Sequence, residues 1–309
     1  MRYVFGPVPS RRLGNSLGVD LVPAKTCPYD CVYCQLGRTT KQTMTRQSHA
    51  PPDEVVAEVE QAVKAGERID YITLSGSGEP TLSVDVGQVV RGIKALTSIP
   101  VAVLTNGALL WREGVRADLA RADLVMPSLD AATQETFEAV NRPLALDAEV
   151  VAAGIRDFSL EFDGRVWLEV MVVRGMNDGD EEAKAILHAL QGARLDRVQL
   201  NTVRRAPAEP SAQPVCEQRL EELAALLAAL APADVIHDYA GEPYHGPATD
   251  VAEVILSTLA RRPCGTVELA KSLGLEPKVV ARHIGELERA GRVERIAVGE
   301  RTQYRAQGL

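Results

Sequence analysis

Six apolar runs, spaced by segments of helical period, limit the possible folds of this chain more than any other feature. The runs are SLGVDLV (16–22), YITLSG (71–76), VAVLTN (101–106), LVMPSL (124–129), WLEVMVV (167–173) and VQLNTV (198–203). Helical candidates cover 52–66, 84–97, 114–121, 132–141, 146–158, 180–190 and 215–230. Runs that are apolar almost throughout belong to strands buried on both faces, the condition of a parallel sheet covered by helices. Six such units are too few to close an eightfold barrel. The expected body is therefore α/β, a partial (βα)6 TIM-like barrel or an open sheet of the same class, over residues 1–234. With 309 residues there is room for a second, smaller unit.

The pattern breaks at 235–248, VIHDYAGEPYHGPA, where Gly and Pro mark a linker or lid. Residues 249–309 follow a different logic. A helix over 249–261 precedes TVELAKSLGL and EPKVVARHIGELERAG, and the chain then reads as strand, turn at Gly299-Glu300, strand. Pro277 suits a first helical turn and Gly291 a helix end. Val280, Ile284 and Leu287 form an apolar stripe, with Lys278, Arg282 and Arg289 on the opposite face. This is the layout of a winged helix-turn-helix domain, with Arg292, Arg295 and Arg301 around the wing. Such a module offers phosphate contacts, so nucleic acid is one expected partner and a peptide the other. Glu286 and Glu288 interrupt the basic face, and the unit carries ten Lys/Arg against eight Asp/Glu, net +2. The net charge of −8 excludes a surface that coats nucleic acid globally.

No window reaches the ~18 consecutive apolar residues of a membrane span. The opening MRYVFGPVPSRRLG lacks the apolar stretch of a secretion signal. A cytoplasmic location without a membrane partner is expected. Cysteine usage agrees, because three of the five cysteines, Cys27, Cys31 and Cys34, crowd into one short segment, TCPYDCVYCQLG. Clustered thiols in such a chain read as metal or redox ligands rather than a disulfide framework. Tetrahedral zinc would need a fourth ligand, which His49 or Cys216 would have to supply. A [4Fe–4S] cluster on three thiolates keeps one iron open for a substrate or cofactor. Cys216 and Cys264 stand too far apart in sequence for a second cluster and are expected to be buried thiols.

The CxxxCxxC spacing with Tyr33 before its last cysteine resembles the signature of the radical S-adenosylmethionine (SAM) superfamily. The resemblance covers roughly residues 1–205. It implies a [4Fe–4S] cluster on Cys27, Cys31 and Cys34, with SAM chelated at the open iron. It also implies a low-potential electron donor, and cleavage of SAM to methionine and a 5′-deoxyadenosyl radical that abstracts hydrogen from substrate. Ser77, Gly78 and Glu79 follow the second strand, where the family carries its loop for the SAM amino group. Asn106, and Ser128 with Asp130, end the third and fourth strands, which in the family face the SAM ribose and carboxylate. Arg174, at the fifth strand end, is a candidate for a carboxylate or phosphate, and Asn201 at the sixth is a weaker one. The opening GPVPSRRLGNSLGVDL resembles the group related to the wyosine-forming tRNA enzymes, which would bring Arg11 and Arg12 near the cluster. That group's additional upstream cysteines are missing, since none precedes Cys27. The competing reading is an iron–sulfur or zinc redox sensor that binds DNA through the winged helix.

Overall fold

The computed structural model describes residues 1–237, 251–261, 263–298 and 301–307. Residues 238–248 of the expected linker, the expected turn at Gly299-Glu300 and the side chain of Arg301 lie outside them. The body is one eight-stranded sheet. Strands β1 (Val4–Ser10) and β2 (Gly14–Val19) form an antiparallel hairpin. In the loop that follows, β3 (Thr26–Cys27) and β4 (Lys41–Gln42) make a two-residue parallel ladder of their own. From β2 onward the main sheet is parallel, through β5 (Tyr71–Leu74), β6 (Val101–Thr105), β7 (Leu124–Pro127), β8 (Arg165–Val172), β9 (Arg197–Thr202) and β10 (Ala233–Val235). Spatial order repeats chain order, β1-β2-β5-β6-β7-β8-β9-β10. The sheet therefore winds in one sense, as a barrel does, with no switch point of the doubly wound kind. Its end strands do not pair with each other. The barrel is partial.

All six expected strands are present, and the helices fall where the periodicity puts them. They are α1 (Pro52–Lys64), α2 (Val86–Leu96), α3 (Glu113–Leu119), α4 (Gln134–Val140), α5 (Ala148–Glu161), α6 (Asp180–Ala189) and α7 (Glu217–Leu227). Two further strands of the main sheet, and the short β3–β4 ladder, were not expected. β1 contains Pro7 and Pro9, which argue against a strand, but β1 is an edge, where missing N–H groups are tolerated. β10 is three residues long, too short to announce itself by pattern.

Alternation along β8 shows how the sheet divides its side chains. Val166, Leu168, Val170 and Val172 are buried in the main core, while Trp167, Glu169 and Met171 are less buried and alternate with them. The turn between β1 and β2 folds into the bore that these latter residues face. There Leu13 is buried with Ala102, Leu104, Leu124, Met126 and Trp167 of β6, β7 and β8. Arg12 reaches Glu169 of β8 at 2.7 Å, and Arg11 reaches Asn201 of β9 at 3.3 Å. Side chains thus join the first hairpin to strands with which it shares no backbone ladder.

Beyond the barrel lie three helices, α8 (Val251–Arg261), α9 (Thr266–Leu273) and α10 (Pro277–Arg289), and a hairpin of β11 (Val293–Val298) and β12 (Arg301–Ala306). Val280, Ile284 and Leu287 of α10 are buried in a separate core with Ile255, Leu259 and Leu269. Lys278, Arg282 and Arg289 face solvent, as the stripe implied. Gln303 of β12 is buried and joins this unit to the barrel: its Oε1 accepts from the Ala206 N–H at 3.0 Å and its Nε2 donates to the Arg204 carbonyl at 2.7 Å.

Candidate active site

The loop after β2 carries the thiols, and short local hydrogen bonds hold it in shape. The Cys34 N–H donates to the Cys31 carbonyl and Gly37 N–H to the Cys34 carbonyl, each at 3.1 Å. Asp30 accepts from the Thr39 N–H at 2.7 Å, closing the loop on itself. The segment after β5 is stitched to it: Lys25 N–H donates to the Ser77 carbonyl at 2.6 Å, and Glu79 N–H to the Thr26 carbonyl at 3.1 Å. This approach requires glycine at 78. A Cβ there would stand 2.5 Å from the Thr26 carbonyl oxygen and 3.2 Å from that of Pro23, both backbone atoms.

A cavity of about 440 Å³ opens between these loops and the bore, within the range of small-molecule sites. Cys27, Cys31, Cys34, Tyr33, Ser77, Gly78, Glu79, Asn106 and Ser128 all line it, as do Asn201, Arg11 and Arg12. Two expected residues do not. Asp130 lies behind the wall, accepting from the Tyr33 hydroxyl, from Asn141 Nδ2 at 2.6 Å and from the Met171 N–H at 2.9 Å. Burial pushes its carboxyl up to about 6. Arg174 is exposed: the chain turns after β8 ends at Val172, and the Arg174 N–H donates to the Gln213 carbonyl at 3.0 Å. The structure does not bring it to the cavity.

Glu79 and Asn106 are at the cavity, but their polar atoms are committed differently from expectation. The Glu79 carboxylate is buried, and its Oε1 accepts from the Thr81 N–H at 3.0 Å and from the Thr81 and Thr105 hydroxyls at 2.6 Å each. Its Oε2 accepts from the Asn106 N–H at 2.8 Å. Burial nonetheless raises its pKa against these four bonds. Glu79 thus bolts the end of β6 to the thiol loop. Asn106 in turn donates through Nδ2 to the Cys27 Sγ at 3.2 Å.

Whether an iron–sulfur cluster fits can be judged from these sulfurs. Tyr29 N–H also points to the Cys27 Sγ and Asn141 Nδ2 to the Cys31 Sγ, each at 3.5 Å. N–H donors around sulfur suit thiolates, yet burial, and after it the Glu79 charge, pushes the Cys27 thiol up to about 12. Such thiols ionise readily only beside a bound cation, which a metal centre provides. The three thiols line one cavity, with N–H donors to the Cys27 and Cys31 sulfurs, and this donor set fits a metal–thiolate centre. Cys216 is exposed at the start of α7, contrary to expectation, and Cys264 is buried in the carboxy-terminal core. Neither lines the cavity.

Several lining residues escaped the sequence reading: Lys25, Glu169, Arg204 and Arg205. Glu169 had a signal, a lone charge inside the apolar run WLEVMVV. Arg205 had none, because its partners come from two other parts of the chain: it donates to Gln35 at 2.9 Å and to Glu268 of α9 at 3.0 Å.

A single-wound partial barrel with three thiols in the loop after its first parallel strand defines the class. The chain belongs to the radical SAM superfamily, whose family model matches residues 21–187. Members of that superfamily are enzymes, and membership implies SAM and a [4Fe–4S] cluster. Within it the chain falls with the UPF0026 proteins. It is 39% identical over 200 residues to one from Synechocystis, covering 64% of this chain and 74% of that protein. A protein from Brachyspira hyodysenteriae named GTPase Obg is 35% identical over 305 residues. That match takes in 98% of this chain but only 45% of the relative. A radical SAM methyltransferase from Sphaerobacter thermophilus shares the fold, with a TM-score of 0.53 at 22% identity over 71% of this chain and 65% of that one. No helix among the described residues is long and apolar enough to cross a membrane.

Proposed function

We propose that Cys27, Cys31 and Cys34 hold a [4Fe–4S] cluster, and that SAM lies across the cavity toward Ser77, Gly78 and Ser128. The cluster, when bound, supplies the electron that cleaves SAM to methionine and a 5′-deoxyadenosyl radical, which abstracts hydrogen from substrate. The chain's own residues do the rest. Asn106 and Asn141 donate hydrogen bonds to ligand sulfurs, the kind of contact that tunes a cluster's potential. Tyr33, backed by Asp130, forms part of the wall beside Cys34, and Glu79 holds the two loops at fixed spacing. The observation that carries the reading is the set of N–H donors to the Cys27 and Cys31 sulfurs, beside a cofactor-sized cavity that all three thiols line. A low-potential electron donor is the partner this reading requires.

The carboxy-terminal unit, with three helices, a hairpin and an exposed basic face on α10, supports a winged helix that recruits a nucleic acid or peptide. Kinship with the wyosine-forming enzymes is proposed for the group alone. The GTPase name of the Brachyspira relative is not carried over, since this chain matches less than half of it.

Anaerobic reconstitution with iron and sulfide, followed by dithionite and SAM, tests the central claim. Slow formation of 5′-deoxyadenosine, lost in a Cys27/Cys31/Cys34→Ala variant, is the expected result. Bound zinc with no cluster after reconstitution would overturn it.

A further inference from the structure

We propose that the bore end of the cavity, formed by Arg11 with Arg12 and Arg205, receives an oxyanion of the substrate, a phosphate or a carboxylate. The proposal rests on the radical SAM reading for what the cavity is, but not for the chemistry of this end of it.

Charge balance carries the argument. Arg12 is paired with Glu169 at 2.7 Å, and Arg205 with Glu268 at 3.0 Å. Both arginine side chains are mostly buried, at 15% and 16% exposure. Arg11 is the third guanidinium of the group. Among the described residues it makes no ion pair, and its one hydrogen bond goes to the neutral Asn201 Oδ1 at 3.3 Å. The carboxylates that act most strongly on Arg11, Glu169 and Glu268, are each already engaged by another arginine. Burial, then the charges of Arg205 and Arg12, pull the Arg11 pKa down to about 10. A cation withdrawn from water calls for a counter-ion, and a guanidinium fork matches an oxyanion.

The thiols do not fill that role. The leading charges on the Cys34 thiol are Asp30 and Lys25, whereas those on Arg11 are Arg205, Arg12, Glu169 and Glu268. Within the one cavity the thiols lie on the loop after β2, whereas Arg11 and Arg12 lie in the bore against β9 and β8. Position adds a second argument. Arg11 is held by the β1–β2 turn, whose Leu13 is buried among β6, β7 and β8. Arg205 is held from the thiol loop by Gln35 and from the carboxy-terminal unit by Glu268. Guanidiniums anchored on such separate elements keep fixed positions before any ligand arrives, which lowers the cost of binding.

The test titrates the full chain, without cluster, by calorimetry, using inorganic pyrophosphate in one arm and citrate in the other. The arm that binds saturably identifies the oxyanion as phosphate or carboxylate. Arg11→Gln and Arg205→Gln should each weaken that binding by about tenfold or more, as expected for a lost hydrogen bond between charged groups. Arg11→Lys should fall between Arg11→Gln and wild type, and it also serves if the Gln variant does not fold. Saturation by neither probe overturns the proposal, as does undiminished binding in natively folded variants. A third measurement, SAM affinity in reconstituted protein, separates substrate from cofactor. Equal loss of SAM binding in Arg11→Gln would assign the arginine to the SAM carboxylate instead. If anions bind but no cluster ever forms, the proposed function fails while the anion subsite stands.

Discussion

Replacing Glu79 by Gln separates a ligand group from a structural bolt. The wild-type carboxylate takes three hydrogen bonds at Oε1 and one, from the Asn106 N–H at 2.8 Å, at Oε2. An amide has one accepting oxygen. With that oxygen kept toward Thr81 and Thr105, the new NH2 faces the Asn106 N–H, donor against donor. Turning the amide over moves the mismatch to the Thr81 N–H. The hydroxyls can rotate to adapt, but the backbone donors cannot. One buried N–H left unsatisfied costs about 1–3 kcal/mol. The remaining bonds also lose charge assistance, worth roughly half their strength. Burial opposes the wild-type charge, so removing it offsets part of the weakening. The expected net loss is about 1–3 kcal/mol, read as a lower urea midpoint with unchanged slope by far-UV circular dichroism. Cluster content and SAM affinity should fall together with stability, because the thiol loop loses its brace. Wild-type stability combined with abolished SAM binding would refute this account and restore Glu79 as a direct partner of the SAM ammonium.

Three further outcomes follow from the geometry. Asn106→Ala removes the N–H donor to the Cys27 sulfur and should lower the potential of the reconstituted cluster in an EPR-monitored redox titration; an unchanged potential would place that amide elsewhere. Leu13→Ala should cost about 2–4 kcal/mol in thermal or urea unfolding, because the bore around a buried leucine cannot collapse fully; a loss below about 1 kcal/mol would mean the turn is not seated there. Glu58 accepts from the backbone N–H groups of Arg2, Tyr3 and Val4, and these bonds hold its carboxyl below the ordinary range although burial pushes the other way. Its contribution is therefore complete above the ordinary carboxylate range and lost as pH falls through the depressed value. Glu58→Gln should flatten that acid limb of the stability profile, and an unaltered limb would show that the amino terminus is not pinned there.

Chemistry that resides in spacing is legible in the sequence itself. Cys27, Cys31 and Cys34 fall in one loop at the cavity, and Ser77, Gly78 and Ser128 line it, because the ends of parallel strands gather their loops on one side of the sheet. What a side chain's atoms are bonded to is not legible there. Glu79 and Asn106 stand at the expected place, yet their bonding depends on Thr81, Thr105 and Cys27, whose positions only the folded loops define. Arg174 fails for a related reason: a strand end says which edge a residue is near, but Gly175, at φ 72°, turns the chain away there. Glu169 could have been found by reading WLEVMVV with period two. Arg205 could not, since its neighbours Gln35 and Glu268 lie 170 residues before it and 63 after.

The β1–β2 turn seated in the bore has a consequence for how the chain is made. Arg11 finds Asn201 across 190 residues of sequence, and Arg12 finds Glu169 on β8. Contacts of such separation are slow to form. A ribosome releases the hairpin before the strands it docks against, β6 to β9, so the bore stays open until those strands emerge. Its arginines and Leu13 are exposed to whatever the cell offers in that interval. On stalled nascent chains, proteolytic protection of the β1–β2 hairpin should therefore arise only once β9 has cleared the exit tunnel.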